Sequence, residues 1–316
     1  MSNLSDYFWQ ISEVMIAVAA APLLTGWINK CRSWLQNKSA PSVFQPHRML
    51  HKLFHKDSVV AENASPLFRM DPYIVFGCMT LACGIIPTLS TNLPLSPAAD
   101  AIALVGLFAL ARVFISLAAV DIGTGFGTMG GRREMFIGFL AEPALLMVLF
   151  SSSLISKSTL LTSIVGNLVT QDLAVYPSLA FASVAFLMVL LAENARVPID
   201  NPATHLELTM IHEALLLEYS GRSLALMEWA ASIKLLAYFC MGFALFFPWG
   251  ISSVNTPLAL LLSLLILTVK LAIAGALLAV IEIASAKFRI FRVPEFLATA
   301  FLIAVIGMLV HFLLGA

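Results

Sequence analysis

Ionisable side chains concentrate in one segment of an otherwise apolar chain. Residues 193–228, called the acidic loop below, combine carboxylates, arginines and histidines between two strongly apolar stretches. Carboxylates and imidazoles exchange protons when burial or a neighbouring charge shifts their equilibria. Hydrophobic residues make up 60% of the chain and charged residues 11%, whereas ordinary globular domains carry roughly 25% charged residues. A chain that places so many of its few charges in one loop is predicted to use it for proton exchange, charge transfer or docking.

The apolar stretches that position this loop predict an all-α, polytopic membrane protein with one transmembrane helical domain over residues 1–316. A membrane-spanning helix needs roughly 20 mostly apolar residues. Eight segments meet this requirement, at residues 8–28, 72–92, 99–119, 135–155, 174–192, 229–249, 258–281 and 294–314. No internal repeat of the kind found in many secondary transporters is visible.

Basic residues alternate between the connections. The first, third, fifth and seventh connections carry Lys30, Arg32, Lys38, Arg48, Lys52, Lys56, Arg69, Arg132, Arg133, Arg196, Arg222, Lys287, Arg289 and Arg292. The opposite connections hold only Lys157. The positive-inside rule therefore predicts cytoplasmic charged loops and both termini outside. The 18 basic residues balance 18 acidic ones, so a nucleic-acid partner is not predicted.

The first cytoplasmic loop, residues 29–71, has an amphipathic pattern. Apolar residues fall on one helical face of its central part and basic residues on the other, which is typical of a helix in the membrane interface. His47, His51 and His55 are spaced so that they could also bind a metal. With no carboxylate or cysteine beside them, a solvated basic face is favoured, and no metal site is predicted.

Four ionisable residues fall inside predicted spans: Arg112, Glu142, Lys234 and Lys270. Facing lipid, each would cost roughly 3 kcal/mol or more, so each is expected to face the interior of the bundle and find a partner. At 1.5 Å per residue, the first three lie roughly 8–12 Å from the cytoplasmic surface. Their common depth predicts that they approach one another or share a water-filled cavity. The alternative for the basic residues is a side chain that extends along the bilayer to reach water.

Within the acidic loop, an irregular segment around Asp200 precedes a helix predicted over residues 203–219. Glu207 and Glu218 lie on one face of this helix, and His205 lies near its start. The helix is rich in Leu, Met and Ile, so burial is expected to make its carboxylates and histidines easier to titrate near neutrality. The alternative is a solvated cytoplasmic helix.

The motifs resemble the membrane subunit shared by respiratory complex I and group 4 energy-converting NiFe-hydrogenases, which include formate hydrogenlyase. In the acidic loop the resemblance rests on Glu193-Asn194-Ala195-Arg196-Val197-Pro198-Ile199-Asp200, on Glu207-Leu208 and on Glu218-Tyr219-Ser220-Gly221. Earlier in the chain, the hydrogenase branch is indicated by Val120-Asp121-Ile122-Gly123-Thr124-Gly125-Phe126-Gly127, Gly130-Gly131-Arg132-Arg133-Glu134 and Ala141-Glu142-Pro143.

The resemblance implies a non-catalytic subunit that joins redox chemistry to ion movement. Its expected partners are an iron–sulfur small subunit, a NiFe-hydrogenase-like large subunit and antiporter-like membrane subunits, in the inner membrane of a prokaryote. The implied ion-coupling path comprises Glu142, Glu193, Arg196, Asp200, Glu207 and Glu218, and the buried Arg112, Lys234 and Lys270 and the loop residue His205 are further candidates. Docking to the peripheral arm is expected to involve Asp121, Arg132, Arg133, Glu134 and Glu213.

Cofactor expectations follow from the same resemblance and from the cysteines. No redox cofactor is expected on this chain, because it lacks clustered cysteines for iron–sulfur ligation. A quinone is possible in a cavity shared with partner subunits. The chain departs from the family where Pro202-Ala203-Thr204-His205 replaces the usual Pro-Glu-Ala-Glu, which makes His205 a candidate proton carrier. The alternatives are a purely structural membrane anchor and a stand-alone secondary transporter.

Overall fold

Helices form all the regular secondary structure in the part of the chain that the structure describes. The computed structural model describes residues 4–91, 94–95, 99–170, 176–200, 210–252 and 256–314. The helices in these ranges are α1 (Leu4–Leu35), α2 (Gln45–Phe54), α3 (Pro66–Ile85), α4 (Ala101–Asp121), α5 (Gly125–Ser156), α6 (Leu161–Thr170), α7 (Pro177–Glu193), α8 (His212–Leu216), α9 (Gly221–Phe246), α10 (Pro257–Ala284) and α11 (Val293–Leu314).

Each of the eight predicted spans coincides with one of these helices. Among the described residues, six helices are long and apolar enough to cross a membrane, namely α1, α4, α5, α9, α10 and α11. Helix α7 is a shorter apolar helix, and α3 begins earlier than predicted, with Arg69 and Asp71 near its start. The chain is therefore a multi-pass, all-helical membrane protein, and the count of eight spans stays a prediction.

Two helix starts differ from the sequence-based boundaries. Helix α5 begins at Gly125, ten residues before the predicted start, because the Thr124 side chain accepts a hydrogen bond from the Gly127 N–H and caps the helix. Arg132 and Arg133 therefore lie on the first turns of α5 rather than in a loop. Helix α9 begins at Gly221 rather than at residue 229. The arginine-rich connections are shorter than predicted, since helix continues beyond the apolar core.

The helix predicted over residues 203–219 is wrong in its described part, where α8 covers only His212–Leu216. Ile211 and His212 donate their backbone N–H groups to the Asp200 carboxylate, each at 3.2 Å. In a longer helix, the N–H groups of Ile211 and His212 would donate to backbone carbonyls one turn earlier. Here they donate to the side chain of Asp200 instead. His205 and Glu207 lie outside the described residues.

Helix α1 is interrupted by Pro22, and neighbouring helices compensate for the interruption. A proline has no N–H, so the Val18 carbonyl one turn earlier loses its helical partner. The Trp229 indole N–H on α9 donates to that carbonyl at 2.9 Å. The next carbonyl, of Ala19, accepts a hydrogen bond from His47 Nε2 of α2, also at 2.9 Å. These two hydrogen bonds therefore link both α9 and the amphipathic α2 to α1 near Pro22, and the observed contact of His47 is structural.

We expect Trp229→Phe to lower the stability of the protein by about 1 kcal/mol, because the Val18 carbonyl is left without a donor in an apolar setting. The phenyl ring keeps the packing against Phe76, whose ring centroid lies 5.2 Å from that of Trp229. The measurement is the thermal unfolding midpoint in detergent. Trp34→Phe, at an exposed tryptophan, is the matched control, and equal midpoints for the two variants would contradict the prediction.

Candidate functional site

Arg112 lies at the centre of a buried group of charges that three helices contribute. It projects from α4 and is only 4% exposed. Its Nε lies 3.3 Å from Glu134 Oε1, and its Nη1 lies 2.5 Å from Glu142 Oε1, both on α5. Its Nη2 also forms an ion pair with Glu193 Oε2 at the end of α7. Every nitrogen of the guanidinium therefore faces a carboxylate, which is the arrangement that a planar, permanently charged donor group favours.

Lys234 of α9 adds a second positive charge to the group. Its Nζ lies 2.9 Å from Glu193 Oε2, so Glu193 is shared between two cations. These five residues, Arg112, Glu134, Glu142, Glu193 and Lys234, are called the charge cluster below. The structure thus brings together Arg112, Glu142 and Lys234, the three residues that the sequence placed at one depth.

The close approach of α4 and α5 at the cluster requires a glycine. A Cβ atom at Gly138 would collide with the Arg112 side chain, including its Nε and Nη1 atoms. Arg112 cannot move aside freely, because three ion pairs hold its guanidinium. Gly138 lies one helical turn from both Glu134 and Glu142, so the missing side chain leaves room for the arginine between the two carboxylates.

All members of the charge cluster except Glu142 line a cavity of about 280 Å³. Its polar wall comprises Asn29, Arg32, Arg112, Glu134, Glu193, Asn194, Arg196, Asp200, His212, Glu213, Glu228 and Lys234. Its apolar wall includes Val75, Met79, Phe108 and Leu235. Ionisable groups from both halves of the sequence therefore face one space.

The first part of the acidic loop is held by two separate sets of charges. Arg196 Nη1 lies 3.2 Å from Glu282 Oε1 at the end of α10, and Arg32 Nη1 lies 3.7 Å from the other oxygen of that carboxylate. Asp200, besides accepting the two backbone N–H groups at the start of α8, lies 3.3 Å from Lys287 Nζ. These contacts hold the loop against α1 and against the connection that precedes α11.

The second part of the acidic loop is fixed by Tyr219 and Ser220. The Tyr219 hydroxyl donates to Asp71 Oδ2 on α3 at 2.7 Å, and its ring stacks on Phe68 at 4.2 Å. Burial, with the neighbouring Asp71 carboxylate, raises the pKa of Tyr219 far above its usual range, so its hydroxyl stays protonated. Ser220 Oγ donates to the Val59 carbonyl at 2.7 Å and accepts from the Val59 N–H at 2.8 Å. This segment therefore joins the loop over residues 29–71 to α9.

The predicted docking residues divide into two groups. Glu134 is part of the charge cluster and Glu213 lines the cavity, so neither lies on the outer surface of the protein where a partner would dock. Arg133 Nη1 donates to the Met210 carbonyl at 2.9 Å, so it is engaged within the chain. Asp121 accepts a hydrogen bond from the Ser65 N–H at 3.1 Å. Asp121 and Arg132 are both exposed, so they are the members of this set that a partner could reach.

Two described members of the predicted coupling path, Lys270 and Glu218, neither belong to the charge cluster nor line its cavity. Lys270 does not join it, because its Nζ donates to the Phe247 carbonyl at 2.6 Å and to the Trp249 carbonyl. It therefore satisfies carbonyls where α9 ends, in the half of the bundle away from the acidic loop. Glu218 is partly buried just beyond α8, and it is not among the described residues that line the cavity.

Sequence reasoning missed several residues at the site, because no local pattern marks them. Glu228 lines the cavity, although its position suggested only the start of a span. Lys287 was treated as a topological marker, yet it forms an ion pair with Asp200. The Tyr219–Asp71 hydrogen bond joins residues 148 positions apart, which no spacing within one segment can show.

We expect Gly138→Ala to lower stability by about 1–3 kcal/mol, as added volume does in a tightly packed interior, because the methyl group displaces Arg112 from its carboxylates. Gly106→Ala on α4 is the matched control, since nothing lies within 4 Å of the added Cβ there. The measurement is the unfolding midpoint of each variant in the same detergent. Similar midpoints for both variants would show that Arg112 is not held as rigidly as the contacts imply.

The sequence matches the NADH dehydrogenase family over residues 9–313. It is 31% identical over 287 residues to formate hydrogenlyase subunit 4 of Escherichia coli (strain K12), which covers 91% of this chain and 92% of that protein. It is 28% identical over 279 residues to hydrogenase-4 component C of the same organism, which covers 88% of this chain and 87% of that protein. The resemblance indicated by the motifs is confirmed.

The fold is similar to that of a chain in the membrane-bound sulfane sulfur reductase (MBS), an archaeal respiratory membrane complex. The TM-score is 0.83 at 19% identity, and the match covers 97% of this chain and 99% of that one. At this identity the likeness establishes the fold alone. Because the family match extends over nearly the whole chain and a 31% identical relative aligns almost end to end, this protein belongs to the NADH dehydrogenase family.

Proposed function

We propose that this chain is the membrane anchor and ion-coupling subunit of a complex I-like or group 4 hydrogenase-like oxidoreductase. The observation that carries the proposal is the charge cluster on the wall of the 280 Å³ cavity. The names of its relatives, a formate hydrogenlyase subunit and a hydrogenase-4 component, support the same assignment. The chain is a membrane subunit and not the site of redox catalysis.

The charge balance of the cluster suits it to hold one exchangeable proton. Three carboxylates, Glu134, Glu142 and Glu193, face two cations, Arg112 and Lys234. With all five groups ionised, the cluster carries a net charge of 3 × (−1) + 2 × (+1) = −1. One proton on a carboxylate neutralises it, and an unbalanced charge inside a membrane is costly. Among the three carboxylates, Glu142 has the most exposed side chain, at 30% against 17% for Glu134 and 1% for Glu193. This exposure makes it the candidate to exchange the proton, although Glu134 and Glu193 are the carboxylates that line the cavity.

A charge that appears in the cavity can move this proton. At about 10 Å and an effective dielectric constant of about 20, a unit charge interacts with a carboxylate by roughly 1.7 kcal/mol. A difference of 1.4 kcal/mol changes an equilibrium constant about tenfold. A charge that redox turnover produces at this distance therefore interacts strongly enough to change which carboxylate is protonated, without a large structural rearrangement.

The predicted topology places this cavity next to a soluble arm. Eight spans with both termini outside would put the acidic loop and the exposed Arg132 on the cytoplasmic side of a prokaryotic inner membrane. The expected partners there are an iron–sulfur small subunit and a NiFe-hydrogenase-like large subunit, with antiporter-like subunits beside this chain in the membrane.

A quinone would need a further wall from a partner. The cavity of about 280 Å³ is near the lower limit of small-molecule sites, which enclose roughly 300–1,000 Å³. Val75, Met79 and Phe108 offer an apolar surface for a ring, and the charge cluster lies beside them. These residues fit one side of a shared site. No redox cofactor is expected on this chain alone.

Two other functions remain as alternatives. A purely structural anchor would use the charge cluster only to position helices, and a stand-alone secondary transporter would move ions without partners. Purification of a stable complex with iron–sulfur and antiporter-like proteins would exclude the transporter. Ion transport by the isolated chain would exclude the anchor.

We expect Glu142→Gln to leave the complex assembled and to reduce ion translocation per electron severalfold, because glutamine cannot exchange a proton. The measurement is ion uptake in proteoliposomes containing the whole complex, normalised to electron flux. Glu62→Gln, at an exposed residue of the first cytoplasmic loop, is the matched control. An unchanged ratio in Glu142→Gln would leave the structural anchor as the better interpretation.

We also expect Arg132→Glu to weaken binding of the soluble arm, since an exposed cation on a docking face contributes mainly through charge complementarity. Lys157→Glu is the matched control, because Lys157 is the exposed residue at the opposite end of the same helix. The measurement is the stoichiometry of arm to membrane subunits in the purified complex at increasing salt. Dissociation at the same salt concentration in both variants would exclude Arg132 from the docking face.

A further inference from the structure

A second cavity, of about 190 Å³, lies between α1 and α10 at the end of α1 remote from the acidic loop. Its polar edge is formed by Gln10, Ser12, Glu13 and Ser90. The remainder of its lining is apolar and comprises Trp9, Ile16, Leu89, Pro257, Leu260, Leu261 and Leu264. The cavity follows α1 for about two turns, or roughly 10 Å. Such a lining, polar at one edge and apolar elsewhere, suits an amphiphilic molecule rather than a free ion.

Glu13 gives the polar edge a definite chemistry. Its Oε1 accepts a hydrogen bond from the Leu89 N–H at 2.7 Å and another from the Thr88 hydroxyl. These bonds hold the carboxyl group in place at the cavity. No basic side chain among the described residues forms an ion pair with it. Lys270, the buried cation of this half of the bundle, is engaged by two backbone carbonyls.

Charge complementarity therefore favours a ligand with a cationic group. An ionised carboxylate inside a membrane protein is costly unless a cation or proton accompanies it. The cavity lining includes no lysine or arginine that would attract an anionic headgroup. Leu260, Leu261 and Leu264 meanwhile offer a surface along which an acyl chain can lie. A ligand that matches both the polar edge and the apolar lining carries an ammonium group with N–H donors and a hydrocarbon tail.

We propose that this cavity binds a phospholipid with a primary ammonium headgroup, of which phosphatidylethanolamine is the simplest. The ammonium group donates to the Glu13 carboxylate, and an acyl chain lies against the leucines of α10. The site is separate from the cavity at the charge cluster, which lies near the other end of α1. It does not depend on the coupling role proposed above.

The test measures lipid binding by the full chain after removal of co-purified lipid. Native mass spectrometry would compare phosphatidylethanolamine, phosphatidylglycerol and diacylglycerol with the same acyl chains. The expected order is strongest for phosphatidylethanolamine. Glu13→Gln is a nearly isosteric change that keeps an oxygen for Thr88 and Leu89, and it is expected to weaken phosphatidylethanolamine binding about tenfold or more, the effect of losing a hydrogen bond to a charged group. Diacylglycerol binding is expected to stay unchanged.

Two further variants make each outcome decisive. Glu295→Gln removes an exposed carboxylate from α11 and is expected to bind lipid like the unmodified chain. Leu264→Trp fills the apolar wall, keeps the carboxylate and is expected to weaken phosphatidylethanolamine binding even if Glu13→Gln does not fold. The proposal is overturned if the unmodified chain binds phosphatidylglycerol or diacylglycerol as tightly as phosphatidylethanolamine. It is also overturned if Glu13→Gln weakens diacylglycerol binding equally, or if Leu264→Trp has no effect.

Discussion

The arrangement of the helices depends on the need to satisfy one buried arginine. Arg112 carries a permanent charge on a membrane helix, and a charge in that position requires partners from its neighbours. Its ion pairs join α4 to α5 and α7, and the second cation on Glu193 adds α9. The desolvation cost of such a cluster offsets much of its attraction, so it adds little net stability. Removing one partner, however, typically costs about 3–5 kcal/mol, which makes the geometry specific.

The ionisable residues of the acidic loop and those of the charge cluster have different physical roles. Arg196 and Asp200 are held by fixed partners, since Arg196 pairs with Glu282 and Asp200 binds two backbone N–H groups and Lys287. A carboxylate with so many donors is suited to keeping one conformation. Glu142 has fewer contacts and more exposure. The fixed residues of the acidic loop are therefore suited to positioning, whereas Glu142 on α5 is the residue proposed above to exchange a proton.

Sequence reasoning succeeded where the position of a residue along its own helix was enough. Length and apolarity placed a helix at every predicted span, and the shared depth of Arg112, Glu142 and Lys234 anticipated their meeting. The expectation that Lys270 faces the interior and finds a partner is met, but depth along a helix could not show that the partners are the carbonyls at the end of α9. The helix predicted over residues 203–219 failed in its described part because Asp200 captures the N–H groups that open α8. Contacts between distant segments cannot be derived from either segment alone.

An aromatic layer separates the charge cluster from the other half of the bundle. Phe108 lies one turn from Arg112, Tyr238 lies one turn from Lys234, and both are displaced toward the half that contains Lys270. Their ring centroids are 4.9 Å apart, and Phe186 lies 6.2 Å from Tyr238. Tightly packed rings exclude the water that a proton or sodium ion needs on a direct route across the membrane. These packed rings therefore disfavour a water-filled route straight through this chain from the cavity to the half that contains Lys270. That geometry favours a subunit that transmits a charge to neighbours over a transporter that acts alone.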